Sequence, residues 1–348
     1  MSETILGILG GGQLGSMLSM AAKKLNIKTV IYSDDQDAPA QNFCDEFIFG
    51  SYKDNNQILD FVKKVNVITY EFENIPFDTL NEINKSKTVL PKPSINRLIQ
   101  HRLAEKDFVN KLNIRTTRYV SVEKKSDLNS LGDFLPGILK TTTMGYDGKG
   151  QYPIKNLNDI NNLKIDFSKE YVLEKLVKLK KEISVIITRF SNNKYEIYEP
   201  IENTHKDQIL RKSKIPADIN NKLFEQSKEW SIQISEELKY IGTLCVEFFI
   251  DRNDNLYVNE IAPRVHNSGH LTINAFNVSQ FENHVRAVCS LEQIPLKKLH
   301  NAEMINLIGE QISAYRESLN LEENQFFFDY HKKEIKDKRK MGHLTILR

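Results

Sequence analysis

Cys245-Val-Glu-Phe-Phe-Ile-Asp-Arg-Asn-Asp-Asn-Leu-Tyr-Val-Asn-Glu-Ile-Ala-Pro-Arg-Val-His-Asn-Ser-Gly-His270 is the stretch that decides the fold. Its apolar runs, Cys245–Ile250 and Leu256–Ile261, flank the polar segment Asp251–Asn255, so they read as a β-hairpin. A two-residue turn at Asn253-Asp254 sets Arg252 opposite Asn255 and Glu247 opposite Glu260. Cross-strand partners have Cβ atoms roughly 5 Å apart, where like charges repel. A divalent cation removes that repulsion. Hard carboxylate oxygens beside phosphate suit Mg²⁺, with Mn²⁺ as the substitute. The plain alternative is a longer turn with a slipped register and one glutamate in solvent. The residues after the hairpin weigh against it. Val258–His270 holds an acid, amide and hydroxyl side chains, Arg264, His266 and His270. A solvated loop rarely needs that mixture, whereas a site for metal, phosphate and a small oxyanion does.

Composition bounds the rest. The 348 residues are long for one core and fit two or three packed domains. With 40% hydrophobic and 27% charged residues the chain reads as globular. A net charge of +2 gives no global field for nucleic acid. Cys44, Cys245 and Cys289 lie far apart with no CxxC, and read as reduced core thiols. No basic stretch followed by a long apolar run marks a leader, and nothing approaches a membrane span, so a cytoplasmic protein is expected.

Toward the N-terminus, strands alternate with helices. Thr4–Leu9 reads as a strand, Gly10-Gly-Gly-Gln-Leu-Gly15 as a tight turn and Ser16–Leu25 as a helix. Strands at Lys28–Tyr32, Glu46–Phe49 and Val67–Tyr70, with a helix at Gln57–Val65, continue the pattern. This predicts a parallel sheet covered on both faces. The turn matches GxGxxG, with Asp34 and Asp35 about twenty residues on, as in dinucleotide-binding proteins. The remainder lacks the second half of a dehydrogenase, so the turn implies only an anion at a helix N-terminus. Thr69-Tyr-Glu-Phe-Glu73 ends a strand at the edge where open parallel sheets bind ligands. At least one of Glu71 and Glu73 is expected at that edge, the alternative being an ordinary solvated acid.

Pro91-Lys-Pro-Ser94 reads as a linker, with Ser94 capping a long basic helix through His101, Lys106 and Leu112. The strand Gly137–Lys140 then runs into Thr141-Thr-Thr-Met-Gly-Tyr-Asp-Gly-Lys-Gly-Gln151. Such glycine-rich loops lay backbone N–H groups on phosphate and can close over it. It lacks the Gly-Lys-Ser/Thr of a Walker A loop. A plain glycine hairpin would leave Lys140, Tyr146, Asp147 and Lys149 unexplained. Tyr171–Val177 and Lys181–Ile186 read as strands carrying Glu174 and Glu182. Either acid could accept from a nucleotide or be a surface charge.

Taken in order, GGGQLG, TYEFE, the GYDGKGQ loop, E-x-x-V, EISVI, ENTH, VEFF and NEIAPRVHNSGH resemble the ATP-grasp superfamily. Within it they resemble the N5-carboxyaminoimidazole ribonucleotide synthetase family, from about Ile5 to about His343. The resemblance implies an α/β (α+β overall) ATP-grasp fold. Its parts would be an N-terminal doubly wound parallel-sheet domain (1–94), an ATP-grasp domain (95–290) with a lid at about 115–175, and a small C-terminal β-rich domain (291–348). It implies ATP-dependent, bicarbonate-dependent carboxylation of aminoimidazole ribonucleotide through carboxyphosphate, in purine biosynthesis. For ATP it implies Lys106, Lys140, Gly145, Gly148, Lys149, Gly150 and Gln151 at the phosphates. Glu174 and Val177 would frame the adenine, Lys175 would also bind ATP, Glu182 would hold the ribose, and His205 would lie close by. Glu247 and Glu260 would hold Mg²⁺. Arg264, His266 and Asn267 would surround bicarbonate, with Lys140 and Asp147 also in catalytic roles. Gly12, Gln13, Leu14, Glu73, Tyr146, Asp147, Lys332 and Arg339 would take the ribonucleotide. A homodimer is implied as well. Another ATP-grasp carboxylate-amine ligase or a formyltransferase is the alternative enzyme. A non-catalytic nucleotide-binding protein is the alternative class. The basic run Lys332–Lys340 would otherwise read as a nucleic-acid arm, which the balanced charge and missing aromatic interleaving oppose. Departures from the pattern are Ser16, Thr142, Thr143, Met144 and Val265.

Overall fold

A computed structural model describes residues 4–143, 145, 150–318 and 320–348. The N-terminal part builds β1 (Ile5–Leu9), α1 (Gln13–Lys24), β2 (Lys28–Ser33), β3 (Glu46–Phe49), α2 (Asn55–Lys63), β4 (Val67–Tyr70) and α3 (Phe77–Ser86). The strands form a parallel sheet in the order β3-β2-β1-β4. β1 and β4 are continuous apolar runs because helices cover both of their faces. The strand ends Leu9 and Tyr70 are paired, so the glycine turn after β1 sits beside Glu71–Glu73 after β4.

The expected long helix from Ser94 is two helices, α4 (Pro93–Ile99) and α5 (Arg102–Lys111). Pro93 fills the first turn of α4, where its missing N–H costs nothing, so Ser94 is not the cap. The break at Gln100-His101 lets the His101 ring accept from the Ala104 N–H and start α5. The chain then forms β5 (Tyr119–Val122), β6 (Gly137–Thr141), β7 (Gln151–Ile154), α6 (Leu157–Asn161) and β8 (Tyr171–Lys175). Their antiparallel sheet, β5-β8-β6-β7, has its own small core around Leu139, Tyr171 and Leu173.

The central sheet begins with β9 (Leu179–Arg189), β10 (Tyr195–Ile197), β11 (Ile201–Lys206) and β12 (Ile209–Ile215). After α7 (Asn221–Glu237) come β13 (Gly242–Asp251), β14 (Leu256–Ala262), the short α8 (Thr272–Ala275) and α9 (Gln280–Val288). β15 (Ala302–Ile308), α10 (Ser313–Glu317), β16 (Gln325–Asp329) and β17 (Lys340–Leu347) complete the chain. The order is β14-β13-β9-β11-β12-β15-β17-β16, with β10 on β9. The C-terminal strands thus join the central sheet through β12 and β15. Leu14, Met17 and Leu18 of α1 share one core with Val265, with Phe281 and Val285 of α9, and with Tyr330. That core holds the parallel sheet against the Arg264–His266 segment. No helix among the described residues is long and apolar enough to cross a membrane.

The hairpin corrects one expectation while keeping its result. Asp251 N–H bonds the Asn255 carbonyl, and Asp254 takes a positive φ of 58°. The loop is therefore three residues, Arg252–Asp254, which shifts the register by one. Phe248 then faces Val258 while Glu247 faces Glu260, so Asn259 is the extra residue of a β-bulge. The bulge cancels the longer turn, and the two glutamates still pair.

Candidate functional site

One cavity of about 1010 Å³ lies where the three sheets meet. Its wall takes Gly12, Gln13, Leu14 and Glu73 from the parallel sheet, and Lys140, Gly145, Gln151, Glu174, Lys175 and Val177 from the small sheet. Glu182, His205, Glu247, Glu260, Arg264, His266, Asn267, Lys332 and Arg339 close it. Lys106 and Gly150 stand behind this wall. Gly150 has φ +71°, and a Cβ there would come within 2.5 Å of Thr141 Oγ1. Tyr146, Asp147, Gly148 and Lys149 lie outside the described residues, as does Met144.

At one end, Lys106 and Lys140 share a single carboxylate. Lys106 Nζ is 3.2 Å from Glu174 Oε1, and Lys140 Nζ is 3.0 Å from Oε2. Thr117 Oγ1 donates to the same Oε2 at 3.0 Å. Burial opposes ionisation of Glu174, but Lys106 and Lys140 hold its carboxyl down at about 2. Burial lowers Lys140 even though Glu174 pulls it upward. Both directions fit one imbalance: two buried cations share one anion, so positive charge is in excess, and Lys140 carries it to the cavity wall. That is a phosphate-binding arrangement. The Glu174 carboxylate is committed to the lysines.

At the centre, Glu247 Oε1 is 2.9 Å from His266 Nε2, and Arg102 Nη1 is 3.4 Å from Glu260 Oε2. Burial would raise Glu247, but His266 beside it, then His205 and Arg264, holds it at about 2. Burial works against a charged His266. The Cys245 sulfur and the Glu247 carboxylate outweigh it and push the imidazole up to about 10. Arg264 Nε donates to Glu73 Oε2. Burial opposes both charges, yet each lifts the other toward its ionised form. His205 Nδ1 lies 2.6 Å from Glu182 Oε2, and that carboxylate raises the imidazole against burial.

The glycine turn holds an anion, but it is the protein's own. Glu71 accepts from the Gly12 N–H at 2.5 Å and the Gly15 N–H at 2.9 Å. It is buried, and a Cβ on Gly12 would lie 2.6 Å from its Oε1. The glycines therefore admit Glu71 to the start of α1, so an anion does lie at that helix N-terminus, held by the Gly12 and Gly15 N–H groups. Beside it, Lys332 Nζ donates to Gln13 Oε1 at 2.8 Å, and Arg339 NH1 donates to the Glu334 carbonyl at 3.0 Å.

Residues 107–281 match the ATP-grasp domain, 3–100 the ribonucleotide synthetase preATP-grasp domain, and 302–348 the phosphoribosylaminoimidazole carboxylase C-terminal domain. The chain is 38% identical over 347 residues to N5-carboxyaminoimidazole ribonucleotide synthase of Staphylococcus aureus, covering 98% of this chain and 92% of that one. The chain belongs to the N5-carboxyaminoimidazole ribonucleotide synthase family. The crystal structure of the Staphylococcus aureus N5-carboxyaminoimidazole synthetase complexed with ADP superposes with a TM-score of 0.94, at 38% identity, covering 99% and 93% of the two chains. The Aspergillus clavatus synthase in complex with ADP and 5-aminoimidazole ribonucleotide gives a TM-score of 0.91 at 27% identity, covering 99% and 94%.

In this synthase fold several site residues escaped sequence reading. Arg102 lines the cavity, pairs with Glu260 and donates to the Gly145 carbonyl at 3.1 Å. Its spacing of four from Lys106 puts both on one face of α5, a signal open to the sequence. Glu105 is buried and accepts from the Ile261 N–H at 2.6 Å, which anchors β14 beside Glu260. No motif marks it. Three of the departures are absorbed structurally. Val265 is fully buried in the shared core, Ser16 Oγ donates to the Gly12 carbonyl, and Thr142 Oγ1 donates to the Glu170 carbonyl.

Burial raises Glu105 to about 8, and Glu260 adds to the rise. The folded protein therefore holds a proton here that the unfolded chain releases near 4.5. The stability this group contributes is complete below that value and is lost as pH rises through about 8. Glu105→Gln keeps the acceptor for Ile261 and removes the titration. Its melting temperature relative to the parent protein should increase by roughly 3–6 °C between pH 5 and pH 9 in ligand-free thermal scans. A constant difference would show that Glu105 is already ionised.

Proposed function

We propose that this chain carboxylates 5-aminoimidazole ribonucleotide in purine biosynthesis, as an ATP- and bicarbonate-dependent ligase. One observation carries the reading. A single cavity joins Lys140, backed by Lys106 through their shared Glu174, to the Arg264–His266 segment and to Gln13, Lys332 and Arg339. Nucleotide phosphates suit the first part, a small oxyanion the second and a phosphorylated second substrate the third.

Bicarbonate is a poor electrophile. Transfer of the γ-phosphoryl group of ATP to it gives ADP and carboxyphosphate, which turns an oxygen into a leaving group. Lys140, Lys106 and Arg102 would hold the transferring phosphates and offset their charge. Arg264, His266 and Asn267 would hold bicarbonate and then carboxyphosphate. Carboxyphosphate would collapse to CO₂ and phosphate, and the amine of the ribonucleotide would attack the carbon of CO₂ and lose a proton. Glu73 would orient the ribose, and Lys332 and Arg339 the phosphate, of that second substrate. The paired carboxylates of Glu247 and Glu260 are the fit for Mg²⁺, which on binding would neutralise phosphate charge. In their present pairing His266 and Arg102 supply that compensation. A cytoplasmic homodimer completes the proposal, and sedimentation in solution reads the oligomer.

Phosphate release from ATP tests the whole reading. It should require bicarbonate and rise strongly with the ribonucleotide. Turnover indifferent to the ribonucleotide would point to another ATP-grasp ligase, and no turnover to a binding protein. Arg339→Ala should raise the KM for the ribonucleotide roughly tenfold or more and leave that for ATP within about twofold. Equal effects on both would remove the phosphate role of Arg339.

A further inference from the structure

Gln280 is the first residue of α9, is fully buried, and makes no contact with the cavity. Its side-chain amide lies against the main chain of His266. The His266 N–H donates to Gln280 Oε1 at 2.9 Å, and Gln280 Nε2 donates to the His266 carbonyl at 2.6 Å. A peptide N–H can only donate and a carbonyl can only accept, so this pairing sets the amide orientation. The result mimics one rung of a β-ladder, made by a side chain.

Gln280 is itself held from both sides. Its N–H donates to Thr272 Oγ1 at 3.0 Å, and Thr243 Oγ1 donates to its carbonyl at 3.2 Å. Thr243 belongs to β13, the strand that carries Glu247. Gly269 makes room for the arrangement. A Cβ there would come within 2.6 Å of Gln280 Cδ and 2.2 Å of Ile186 Cδ1. The glycine of the HNSG segment thus has a packing reason, which is access for Gln280.

We infer that Gln280 is a positioning residue that sets the His266 main chain, and with it the imidazole and the neighbouring Arg264, relative to Glu247 on β13. This rests on the carboxylase reading for its kinetic consequence, though not for its geometry. Two hydrogen bonds, one to the peptide unit on each side of the His266 Cα, fix the position and direction of the main chain there. Small displacements at a reacting centre cost rate steeply, on the order of 100-fold per 1 Å. Nothing in the clamp touches the nucleotide end of the cavity, so ADP binding should not depend on it.

The test compares Gln280→Met, which keeps length and apolar volume but loses both bonds, with Gln280→Glu, which keeps only the acceptor. Each full-length variant is scanned for thermal unfolding, titrated with ADP, and assayed for ADP formed and ribonucleotide carboxylated. Hydrogen exchange is followed over residues 264–271. In Gln280→Met we expect faster exchange in that segment and ADP affinity within about twofold of the parent. We also expect kcat/KM for bicarbonate to fall roughly 10- to 100-fold. Carboxylated product per ADP should fall as well, because a displaced site loses its intermediate to water. Gln280→Glu should lie between the two. Unchanged exchange in 264–271 would overturn the inference. So would a uniform loss of every parameter in proportion to unfolded protein, which is what a purely structural residue gives. If the parent protein shows no bicarbonate-dependent turnover, the carboxylase reading fails, while faster exchange in the variant would still support the clamp.

Discussion

Glu260→Ala should reduce ATP turnover at least ~10³-fold while leaving the ligand-free protein folded. Glu260 faces Glu247 across the hairpin and lines the cavity. If the two carboxylates hold the divalent cation, removing one costs the nucleotide phosphates the cation's share of their counter-charge, which Lys140 and Arg102 only partly offset. Folding should not suffer. Glu260 adds to the rise of Glu105, so its loss relieves a buried acid. Arg102 loses a 3.4 Å partner but stays bonded to the Gly145 carbonyl. The measurement is steady-state ADP formation across a Mg²⁺ titration, alongside thermal unfolding at pH 8. Turnover within about fivefold of the parent at every Mg²⁺ concentration would refute the metal assignment, since single charged contacts of this kind carry larger effects. Glu260→Gln, which keeps the shape and loses the charge, should behave like the alanine variant.

Lys140→Met is the second large effect, and its two readouts should move in opposite directions. ADP affinity should fall roughly 100-fold, because the buried cation on the cavity wall facing the phosphates is gone. Ligand-free stability should hold or rise. Breaking a buried ion pair normally destabilises by several kcal/mol, but here Glu174 keeps Lys106 at 3.2 Å and Thr117 at 3.0 Å. The substitution removes the surplus charge, which burial at Lys140 makes unfavourable in the ligand-free protein. Lys106→Met should be the milder change, since Lys140 lies nearer to the carboxylate that remains, at 3.0 Å. A melting temperature that drops sharply in Lys140→Met would mean the cluster is built for stability, and the phosphate assignment would lose its physical basis.

Much of the site could be read from local pattern, and particular residues show where that stops. The Glu247–Glu260 pairing was reached through a two-residue turn, whereas the protein uses a three-residue turn and a bulge at Asn259. The longer turn alone would slip the register by one residue and part the two acids; the bulge at Asn259 restores the pairing. The Ser94 helix failed for a local reason: Pro93 suits a first helical turn, and the His101 ring offers a second start a few residues on. Arg102 was legible from its spacing to Lys106. Gln280 and Glu105 were not, because each acts by bonding a main-chain group, 14 and 156 positions away, which leaves no motif or periodic mark.

By itself the sequence determined the strands, the glycine turns, the acid-bearing hairpin and the order of motifs that places the chain in its family. Those features depend on neighbours a few residues apart, through backbone sterics and side-chain period. Only the tertiary structure decided which charges meet. The glycine turn is closed by Glu71, 59 positions away, Arg102 reaches Glu260 across 158, and Arg264 reaches Glu73 across 191. These pairs exist because α1, α9 and the Val265 segment share one apolar core, which brings the ends of the parallel sheet against the hairpin. Core packing is non-directional and leaves no periodic mark on the polar residues it brings together, so their partners could be seen only in the folded chain.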